Sequence, residues 1–386
     1  MKTIGVVTVS RSDYGIYLPI LRRIEADANL QLSLFVSGMH LSPEFGLTAR
    51  MIEADGFQIR EKVEMLLSSD TPEGIAKSVG VGMIGFAQAF QRSRPDILLV
   101  LGDRFDMYPA VCAALPFKIP VAHIHGGEIT EGAIDESIRH SITKMSHLHF
   151  PATETYARRI RQLGEEDWRI MVSGAPGLDN IRDMHLFSKQ EVAERFGFDP
   201  SMAVLLTTFH PVTLEYEDTD AHIASLLCAL KEVDGQVLFT YPNADTAGRV
   251  IIEKITEFCK NNERARVVMS ANQQWYLSLL NCVDGMVGNS SSGLIEAPSF
   301  KLPVVNIGTR QRGRLRGPNV VDCGYPKDEI VGAIRRILGP EFRPSLRDLV
   351  NPYGDGRASE RIVDRLSEVV VDKRLLFKKF VDRGDR

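Results

Sequence analysis

Titratable side chains recur in this sequence where apolar stretches end. Asp103 follows the run 97–101, His125 ends the run 120–125, Glu128 comes three residues later, and Asp135 comes seven residues after Glu128. Carboxylates and imidazoles that share one place perturb one another's pKa values, and such groups serve as general acids and bases. The spacing predicts an acid/base site, with buried ion-pair scaffolding as the alternative.

Polar residues follow apolar runs in the C-terminal half as well. His210 follows the run 202–208 inside the segment FHPVT, while Asn243 and Asp245 follow the run 236–241. An amide and a carboxylate suit the hydroxyl groups of a sugar. His210 is expected to act in catalysis or substrate binding, and the alternative is a hydrogen-bonded structural histidine.

The segment Gly288–Gly293, with the sequence GNSSSG, is the strongest local signal in the chain. It runs from a predicted strand into a predicted helix, where free backbone amides and serine hydroxyls form a site for a diphosphate. Ser290 and Ser291 are the expected ligands, and Glu296 on the first turns of the helix is placed to accept ribose hydroxyls. Simple N-capping by a serine is the alternative.

Arginines flank these motifs at both ends of the chain. Arg11 lies in SRSDYG, predicted as a polar turn after the first strand, where a guanidinium can fork onto a phosphate or form a surface ion pair. Four further arginines follow the serine-rich segment: Arg310, Arg312, Arg314 and Arg316. One or two of them are expected to reach phosphate, and the others to lie on a solvated face.

Gly80–Gly85 matches GxGxxG, but the pattern does not indicate a nicotinamide site. The dinucleotide motif leaves a strand and opens a helix. Here a helix is predicted to begin at Thr71-Pro72-Glu73, which combines an N-cap, a first-turn proline and an acidic first turn. The glycines therefore fall inside that helix, where they predict close packing against a neighbouring element.

The elements that must position these residues form two series. Short apolar strands alternate with helices up to about residue 173, the pattern breaks at Gly174–Asn180, and a second series follows. Such alternation predicts right-handed crossovers and parallel sheets. The fold class is α/β, with two doubly wound domains facing a cleft and ligands beyond the carboxyl ends of the strands. The predicted domains are 1–175 and 176–386, with the terminal helices as candidates for packing back on the first.

Length and composition bound the remaining possibilities. A chain of 386 residues suits two domains, and a net charge of −4 gives no basic field for nucleic acid or an anionic membrane. Five scattered cysteines without a Cys/His cluster argue for a reducing compartment and against structural zinc. No apolar stretch of about 18 residues is present. A cytosolic protein without a metal site is expected.

Together the motifs resemble the UDP-N-acetylglucosamine 2-epimerase family, in its hydrolysing branch. The resemblance runs through nearly the whole chain, from SRSDYG through GDRFD, HIHGGE, AIDESIRHSITK, FHPVT, PNAD and GNSSSG to GTRQRGR. It implies two Rossmann-like domains of the GT-B type and no metal or nicotinamide. By matching position it implies UDP binding by Arg11, Ser290, Ser291, Glu296 and Arg310, sugar or phosphate contacts by Arg104, Asn243 and Asp245, and catalysis by Asp103, Asp135 and His210. Asp13 is expected to bind the substrate or its UDP.

The sequence departs from the family at His125, where many relatives have a glutamate. Glu128 or His125 itself is expected to fill that role. The implied reaction removes the C2 proton of the sugar, eliminates UDP, and hydrates the resulting glycal, so it needs groups on both faces of the sugar. Asp103 or Glu128 is expected to handle one proton, Asp135 the other, and His210 the leaving group.

The substrate implied is UDP-N-acetylglucosamine, with UDP-N,N'-diacetylbacillosamine as the alternative, and the assembly implied is a homodimer or homotetramer. Rival functions are a non-hydrolysing epimerase, a GT-B glycosyltransferase and, outside enzymes, a nucleotide-sugar sensor. The SRSDYG opening favours the hydrolysing branch over the first rival. The acid/base cluster is unexplained by a transferase and of little use to a sensor.

Overall fold

The computed structural model describes residues 1–67, 71–130, 134–241, 248–268 and 272–383. The chain divides into two compact units. Unit 1 contains Met1–Glu128, Ile134–Asn180 and Tyr353–Arg386, and unit 2 contains Ile129–Ala133 and Ile181–Pro352. The last segment of the chain thus belongs to the unit that the first segment builds.

Each unit contains one six-stranded parallel sheet. The strands of unit 1 are β1 Lys2–Thr8, β2 Leu30–Ser37, β3 Ile59–Val63, β4 Ile97–Leu101, β5 Val121–Ile124 and β6 Leu148–Phe150. Those of unit 2 are β7 Val204–Thr208, β8 Gln236–Thr240, β9 Ala265–Val268, β10 Gly285–Gly288, β11 Val304–Ile307 and β12 Val320–Cys323.

The two sheets share one topology. The strand order is β3-β2-β1-β4-β5-β6 in unit 1 and β12-β11-β10-β7-β8-β9 in unit 2. Both orders reverse direction beside the first strand of the unit, which is the doubly wound arrangement, and at such a switch point the loops after neighbouring strands diverge to leave a binding crevice. In unit 1 the crevice lies beyond β1 and β4, and in unit 2 beyond β7 and β10. The predicted α/β class with two Rossmann-like, doubly wound domains is confirmed.

Helices connect successive strands. In chain order they are α1 Arg11–Ala26, α2 Ala49–Ala54, α3 Pro72–Arg92, α4 Tyr108–Ala114, α5 Ile134–Met145, α6 Glu154–Gln162, α7 Asp179–Asp183, α8 Lys189–Phe196, α9 Thr219–Lys231, α10 Gly248–Lys260, α11 Gln273–Cys282, α12 Ser292–Ile295, α13 Lys327–Leu338, α14 Phe342–Ser345, α15 Ala358–Glu368 and α16 Lys373–Leu376. None of the helices among the described residues is both long and apolar enough to cross a membrane.

The core of each unit forms where helices cover the sheet. Val6 in β1 and Leu99 in β4 are fully buried, as are Leu205 and Val287 in β7 and β10. Strands covered on both faces become continuous apolar runs, which is why the sequence pattern identifies them. Unit 1 is completed by α15, which packs on α1, and Asp179 holds the start of α15 by accepting hydrogen bonds from the amides of Ala358 and Ser359.

The segment SRSDYG is not the turn that the sequence predicts. Ser10 is the N-cap of α1 and Arg11 its first residue. Asp13 makes this start possible, because its carboxylate accepts hydrogen bonds from the amides of Val9, Ser10 and Tyr14 at 2.8, 2.7 and 3.1 Å. A carboxylate in the first turn satisfies donors that the helix itself leaves unpaired.

The GxGxxG segment lies inside α3, as predicted. A Cβ on Gly82 would be 2.9 Å from Pro109 of α4, and one on Gly85 would be 2.6 Å from the Val63 side chain. These two glycines therefore allow α3 to approach α4 and β3 closely. Gly80 has open space at the corresponding point.

Candidate functional site

The loop after β4 presents Asp103 to a buried arginine. Gly102 has a φ of +73° and turns the chain out of the strand. Asp103 then forms an ion pair with Arg139 of α5, whose side chain is only 2% exposed. Arg139 also donates to Glu136 at 3.2 Å, so two carboxylates neutralise it. A buried guanidinium needs such partners, because an unpaired charge in the interior is strongly destabilising.

His125 and Glu128 form a dyad after β5. The imidazole Nδ1 lies 2.6 Å from Glu128 Oε1, and the two side chains are 12% and 6% exposed. His125 has a φ of +63°, an uncommon conformation for a residue other than glycine. Backbone strain of this kind persists where surrounding contacts impose it, often at functional sites. The carboxylate orients the ring and leaves Nε2 for another partner.

His123 in β5, two residues before His125, contacts the loop after β4 and helix α5. Its Nε2 donates to the carbonyl of Gly102 at 2.8 Å, and its Nδ1 accepts from Thr143 Oγ1 at 3.1 Å. Burial lowers the pKa of His123 to about 3, so the ring is neutral at physiological pH. A Cβ on Gly126 would be 3.0 Å from this ring, which explains the small residue in the loop.

Arg104 pairs with the buried carboxylate of Asp106. It donates to Asp106 through Nε at 2.9 Å and through Nη2 at 3.1 Å, and Asp106 is fully buried. Burial opposes the charge of Arg104, but the fork onto Asp106 outweighs it and raises the pKa of the guanidinium. About a third of the Arg104 side chain stays exposed. A fixed cation with an open face can receive an anionic ligand.

Three further predicted residues of unit 1 lie on or near these elements. Asp135 is half-buried in the first turn of α5, and its negative charge acts on Arg104. Arg11 is exposed at the start of α1. Asp13 is buried, with its carboxylate engaged by the backbone amides described above; its use in ligand binding stays a prediction.

In unit 2, Asn289 joins three loops at the carboxyl edge of the sheet. Its side chain accepts from the amide of His210 at 2.7 Å and donates to the carbonyl of His210 at 2.8 Å. Its own carbonyl accepts from Arg310 Nη1 at 3.1 Å and from Gln311 Nε2 at 2.8 Å. The loops after β7, β10 and β11 are thereby fixed to one another.

His210 is buried and neutral at this edge. Burial and then the positive charge of Arg310 lower the pKa of His210 to about 3. A neutral imidazole keeps one N–H that it can donate to an anion. His210 thus lies close to Arg310 and to Asn289 of the serine-rich segment, and its role in catalysis or binding stays a prediction.

The serine-rich segment turns sharply out of β10. Gly288 has a φ of +138°, and a Cβ there would be 1.9 Å from the carbonyl oxygen of Thr208. The amide of Ser292 donates to Ser290 Oγ at 3.3 Å, and the amide of Gly293 donates to the carbonyl of Ser290 at 3.2 Å. Ser290 and Ser291 are themselves half-buried, and they follow β10 directly at the carboxyl edge of the sheet.

Glu296 does not lie on the first turns of a helix as predicted. The helix α12 ends at Ile295 and Glu296 is its C-cap, followed by the 3₁₀ segment Ala297–Phe300. Pro298 has no N–H to extend the helical ladder, which explains the early end. Glu296 is half-buried, and its charge acts on Tyr276.

Two other arginines of the loop after β11, Arg314 and Arg316, have separate partners. Arg314 donates to the carbonyl of Ile129 at 3.2 Å and to Thr130 Oγ1 at 3.3 Å, and Arg316 donates to the carbonyl of Gln311 at 3.0 Å. Asn243 and Asp245 lie outside the described residues. In the part of the chain that the structure describes, no three His, Cys, Asp or Glu residues are grouped as a metal site would require.

Sequence patterns did not identify the residues that hold the site together. His123, Asp106 and Asn289 are fully buried, and each lies inside one of the motifs HIHGGE, GDRFD and GNSSSG. Polar side chains at strand ends that face inward offer the only local signal, because a buried polar group must have a hydrogen-bond partner.

Known proteins resemble this chain over nearly its full length. The family model described as UDP-N-acetylglucosamine 2-epimerase matches residues 22–367. A UDP-N,N'-diacetylbacillosamine 2-epimerase (hydrolyzing) of Legionella pneumophila is 37% identical, over 98% of this chain and 99% of the relative. A GDP/UDP-N,N'-diacetylbacillosamine 2-epimerase (hydrolyzing) of Campylobacter jejuni is also 37% identical, over 99% of both chains.

Solved structures show the same fold. A UDP-GlcNAc 2-epimerase from Neisseria meningitidis, bound to UDP-GlcNAc, superposes with a TM-score of 0.81 over 95% of this chain and 99% of that one, at 18% identity.

Proposed function

The chain belongs to the UDP-N-acetylglucosamine 2-epimerase family, in its hydrolysing branch, and we propose that it releases UDP from a UDP-linked 2-acetamido sugar with inversion at C2. The observation that carries the proposal is the grouping of proton-transfer candidates in unit 1. Asp103, the dyad of His125 and Glu128, and Asp135 occupy the loops after β4 and β5 and the start of α5. A site that only binds a nucleotide sugar has no need for them.

We assign the two proton transfers to different groups. Asp103 is occupied by the ion pair with Arg139, which favours Glu128, acting with His125, for one transfer. Asp135 serves the other. In this proposal the charge of Asp103 keeps Arg139 and α5 in place and acts on the sugar electrostatically. Proton transfer by positioned groups contributes roughly 100-fold to 10,000-fold in rate.

UDP is held by the second group of residues. Ser290, Ser291 and Arg310 bind the diphosphate, with Arg11 as a further cation, and Glu296 accepts the ribose hydroxyls. Arg104, Asp13, Asn243 and Asp245 contact the sugar or phosphate side. The neutral imidazole of His210 donates to the departing diphosphate. Arginines and polar hydrogens supply the stabilisation of developing charge that this elimination requires, so we propose that no metal or nicotinamide takes part.

Two UDP-linked sugars are candidates for the substrate. The sequence first indicates UDP-N-acetylglucosamine, but the names of the two relatives at 37% identity favour the 2,4-diacetamido sugar of UDP-N,N'-diacetylbacillosamine. We propose the latter as the preferred substrate, in the synthesis of a legionaminic acid-type nonulosonate. The protein is further proposed to be a cytosolic homodimer or homotetramer, which light scattering of the purified protein would test.

A substrate panel tests the proposal directly. The purified protein is incubated with each UDP-sugar, and the products are separated and identified by mass spectrometry and NMR. Equal amounts of free UDP and a C2-inverted free sugar are expected, with faster turnover of the diacetamido substrate. An intact, epimerised UDP-sugar would indicate a non-hydrolysing epimerase. Binding without any product would indicate a sensor, and both outcomes contradict the proposal.

A further inference from the structure

Glu215 connects three loops at the carboxyl edge of the unit 2 sheet. It lies in the 3₁₀ segment Thr213–Asp218, five residues after His210. Its Oε1 accepts the hydroxyl of Thr309 at 2.6 Å, and its Oε2 accepts the hydroxyl of Tyr325 at 2.6 Å. One side chain thus joins the loops after β7, β11 and β12. We name this arrangement, Glu215 with Thr309 and Tyr325, the carboxylate clasp.

The clasp is supported on its far side by packing around Tyr325. A Cβ on Gly308 would be 2.2 Å from the Tyr325 ring, so the glycine admits the ring against the backbone of the loop. The Tyr325 ring also stacks on His222 of α9, with ring centroids 3.4 Å apart and an angle of 6° between the planes. Burial and the bond to Glu215 raise the pKa of Tyr325, which keeps the phenol protonated as a donor.

The residues beside the clasp are those assigned to the leaving group. Thr309 directly precedes Arg310, and the 3₁₀ segment follows His210 after two residues. Asn289 fixes the backbone of His210 and the guanidinium of Arg310 on one side. The carboxylate clasp fixes the same two loops on the other side, so neither loop can shift without breaking a bond to Asn289 or to Glu215.

A carboxylate at this edge repels a neighbouring diphosphate, so ligand binding does not explain the presence of Glu215. Among the described residues it has no lysine, arginine or histidine within ion-pair distance, and both oxygens are used by hydroxyls. Two hydrogen bonds to one ionised group are stronger than those between neutral partners and are directional. Two strong, directional bonds from one carboxylate are suited to holding the loops of Thr309 and Tyr325 against the segment of Glu215.

We propose that Glu215 is a positioning residue, which holds the loop of Arg310 in register with the loop of His210 and so maintains UDP affinity. The inference rests on the proposed function only for the identity of the ligand. The geometry of the clasp within unit 2 does not depend on turnover.

Four variants test the proposal, with UDP as the probe in calorimetry. Glu215→Ala removes both acceptors and should weaken UDP binding about tenfold, as expected for lost hydrogen bonds to a charged group. Glu215→Gln keeps one acceptor and supplies an amide donor to the other hydroxyl, so it should restore most of the affinity. Thr309→Val removes one bond with little change of shape and should give an intermediate loss. Glu217→Ala, an exposed neighbour on the same segment, should match the parent protein.

NMR titration of the His210 imidazole separates positioning from a merely structural role. Arg310 is the charged group that acts on His210, so a loop that moves away should let the pKa of His210 rise in Glu215→Ala and not in Glu215→Gln. A loss of thermal stability alone, with an unchanged titration and unchanged UDP affinity, would overturn the proposal. If the protein bound no UDP, the proposed function would fail while the titration still decided the role of Glu215.

Discussion

At the scale of single residues, the site depends on buried charges that each have a defined partner. Arg139 is shared by Asp103 and Glu136, Arg104 is held by Asp106, and Glu128 is paired with His125. These ion pairs differ in which atoms they occupy. The Asp103 and Glu136 carboxylates are directed at a cation, whereas the contact with Glu128 occupies Nδ1 of His125 and not its Nε2.

Glu128→Gln compared with Glu136→Gln tests this distinction. Glu128 is proposed to transfer a proton, so its replacement should reduce turnover about 100-fold or more and leave UDP affinity nearly intact. Glu136 pairs with Arg139 and His140, so its replacement should reduce turnover less than about tenfold. Asp135→Asn, which removes the other proposed proton-transfer group, should reduce turnover as strongly as Glu128→Gln. Equal turnover in the two glutamine variants, measured by steady-state UDP release, would remove Glu128 from the catalytic set.

Ser290 and Ser291 are proposed to bind the diphosphate. Replacing both with alanine should weaken UDP binding by about 1–3 kcal/mol, the range for hydrogen bonds lost to a charged group. Calorimetric titration with UDP measures the change, and Ser299→Ala, on the exposed surface of the following 3₁₀ segment, is the control. Unchanged affinity in the double variant would place the diphosphate elsewhere.

His123 gives the fold a pH dependence. Its folded pKa of about 3 lies below the unfolded value of 6.5, so below pH 6.5 the unfolded chain binds a proton that the folded chain does not. Stability is therefore complete above that pH and decreases as the pH falls towards 3. Between pH 7 and 5 this histidine should lower the free energy of unfolding by about 2 kcal/mol.

His123→Gln keeps a donor for the Gly102 carbonyl and has no titrating ring. Its urea unfolding curves should lose less stability between pH 7 and 5 than those of the parent protein, by about 2 kcal/mol. The same slope in both proteins would mean that His123 is already protonated or not buried in solution.

At the scale of elements, glycines mark where the strands of the site must turn. Gly288→Ala places a Cβ 1.9 Å from the Thr208 carbonyl at a φ of +138°, and should destabilise unit 2 by about 3 kcal/mol or more. Gly80→Ala adds a Cβ in open space within α3, and should stabilise the protein by about 0.5–1 kcal/mol without changing turnover. Thermal unfolding measures both. A loss of UDP binding in Gly80→Ala would instead revive a nucleotide role for the GxGxxG segment.

The sequence predicted elements better than it predicted their ends. Buried parallel strands are apolar throughout, so the run Ile97–Leu101 coincides with β4. The start of α1 differs from the predicted turn because the cap formed by Asp13 with Val9 and Ser10 resembles a polar turn in sequence. The helix α12 is shorter than predicted and ends at Ile295 because Pro298 cannot extend the helical hydrogen bonding.

The sequence indicates which loops carry the candidate site, but it does not indicate which ion pairs and hydrogen bonds join them. Strand ends in a parallel sheet share one edge, which is why Asp103 and Glu128 could be grouped from their positions alone. Which carboxylate pairs with Arg139, or that Asn289 joins His210 to Arg310, depends on distances between loops far apart in the chain. Periodicity contains no information about those distances.

At the scale of the whole molecule, the two units have the same strand order and different chemistry. Proton-transfer candidates lie at the carboxyl edge of the first sheet, and serines, a neutral histidine and an arginine lie at that of the second. Elimination of UDP needs a base for the C2 proton and stabilisation of the departing diphosphate in one transition state.

Isotope labelling shows whether the C2 proton is exchanged and which bond to UDP breaks. The reaction is run in deuterium oxide and, separately, in water enriched in oxygen-18, with early time points analysed by mass spectrometry and NMR. The account predicts one deuterium at C2 of the released sugar, oxygen-18 at its anomeric position before ring opening exchanges it, and unlabelled UDP, because the C1–O bond breaks. Oxygen-18 in the UDP would show attack at phosphorus, and a sugar without deuterium at C2 would show that no proton was exchanged there; either result contradicts the account.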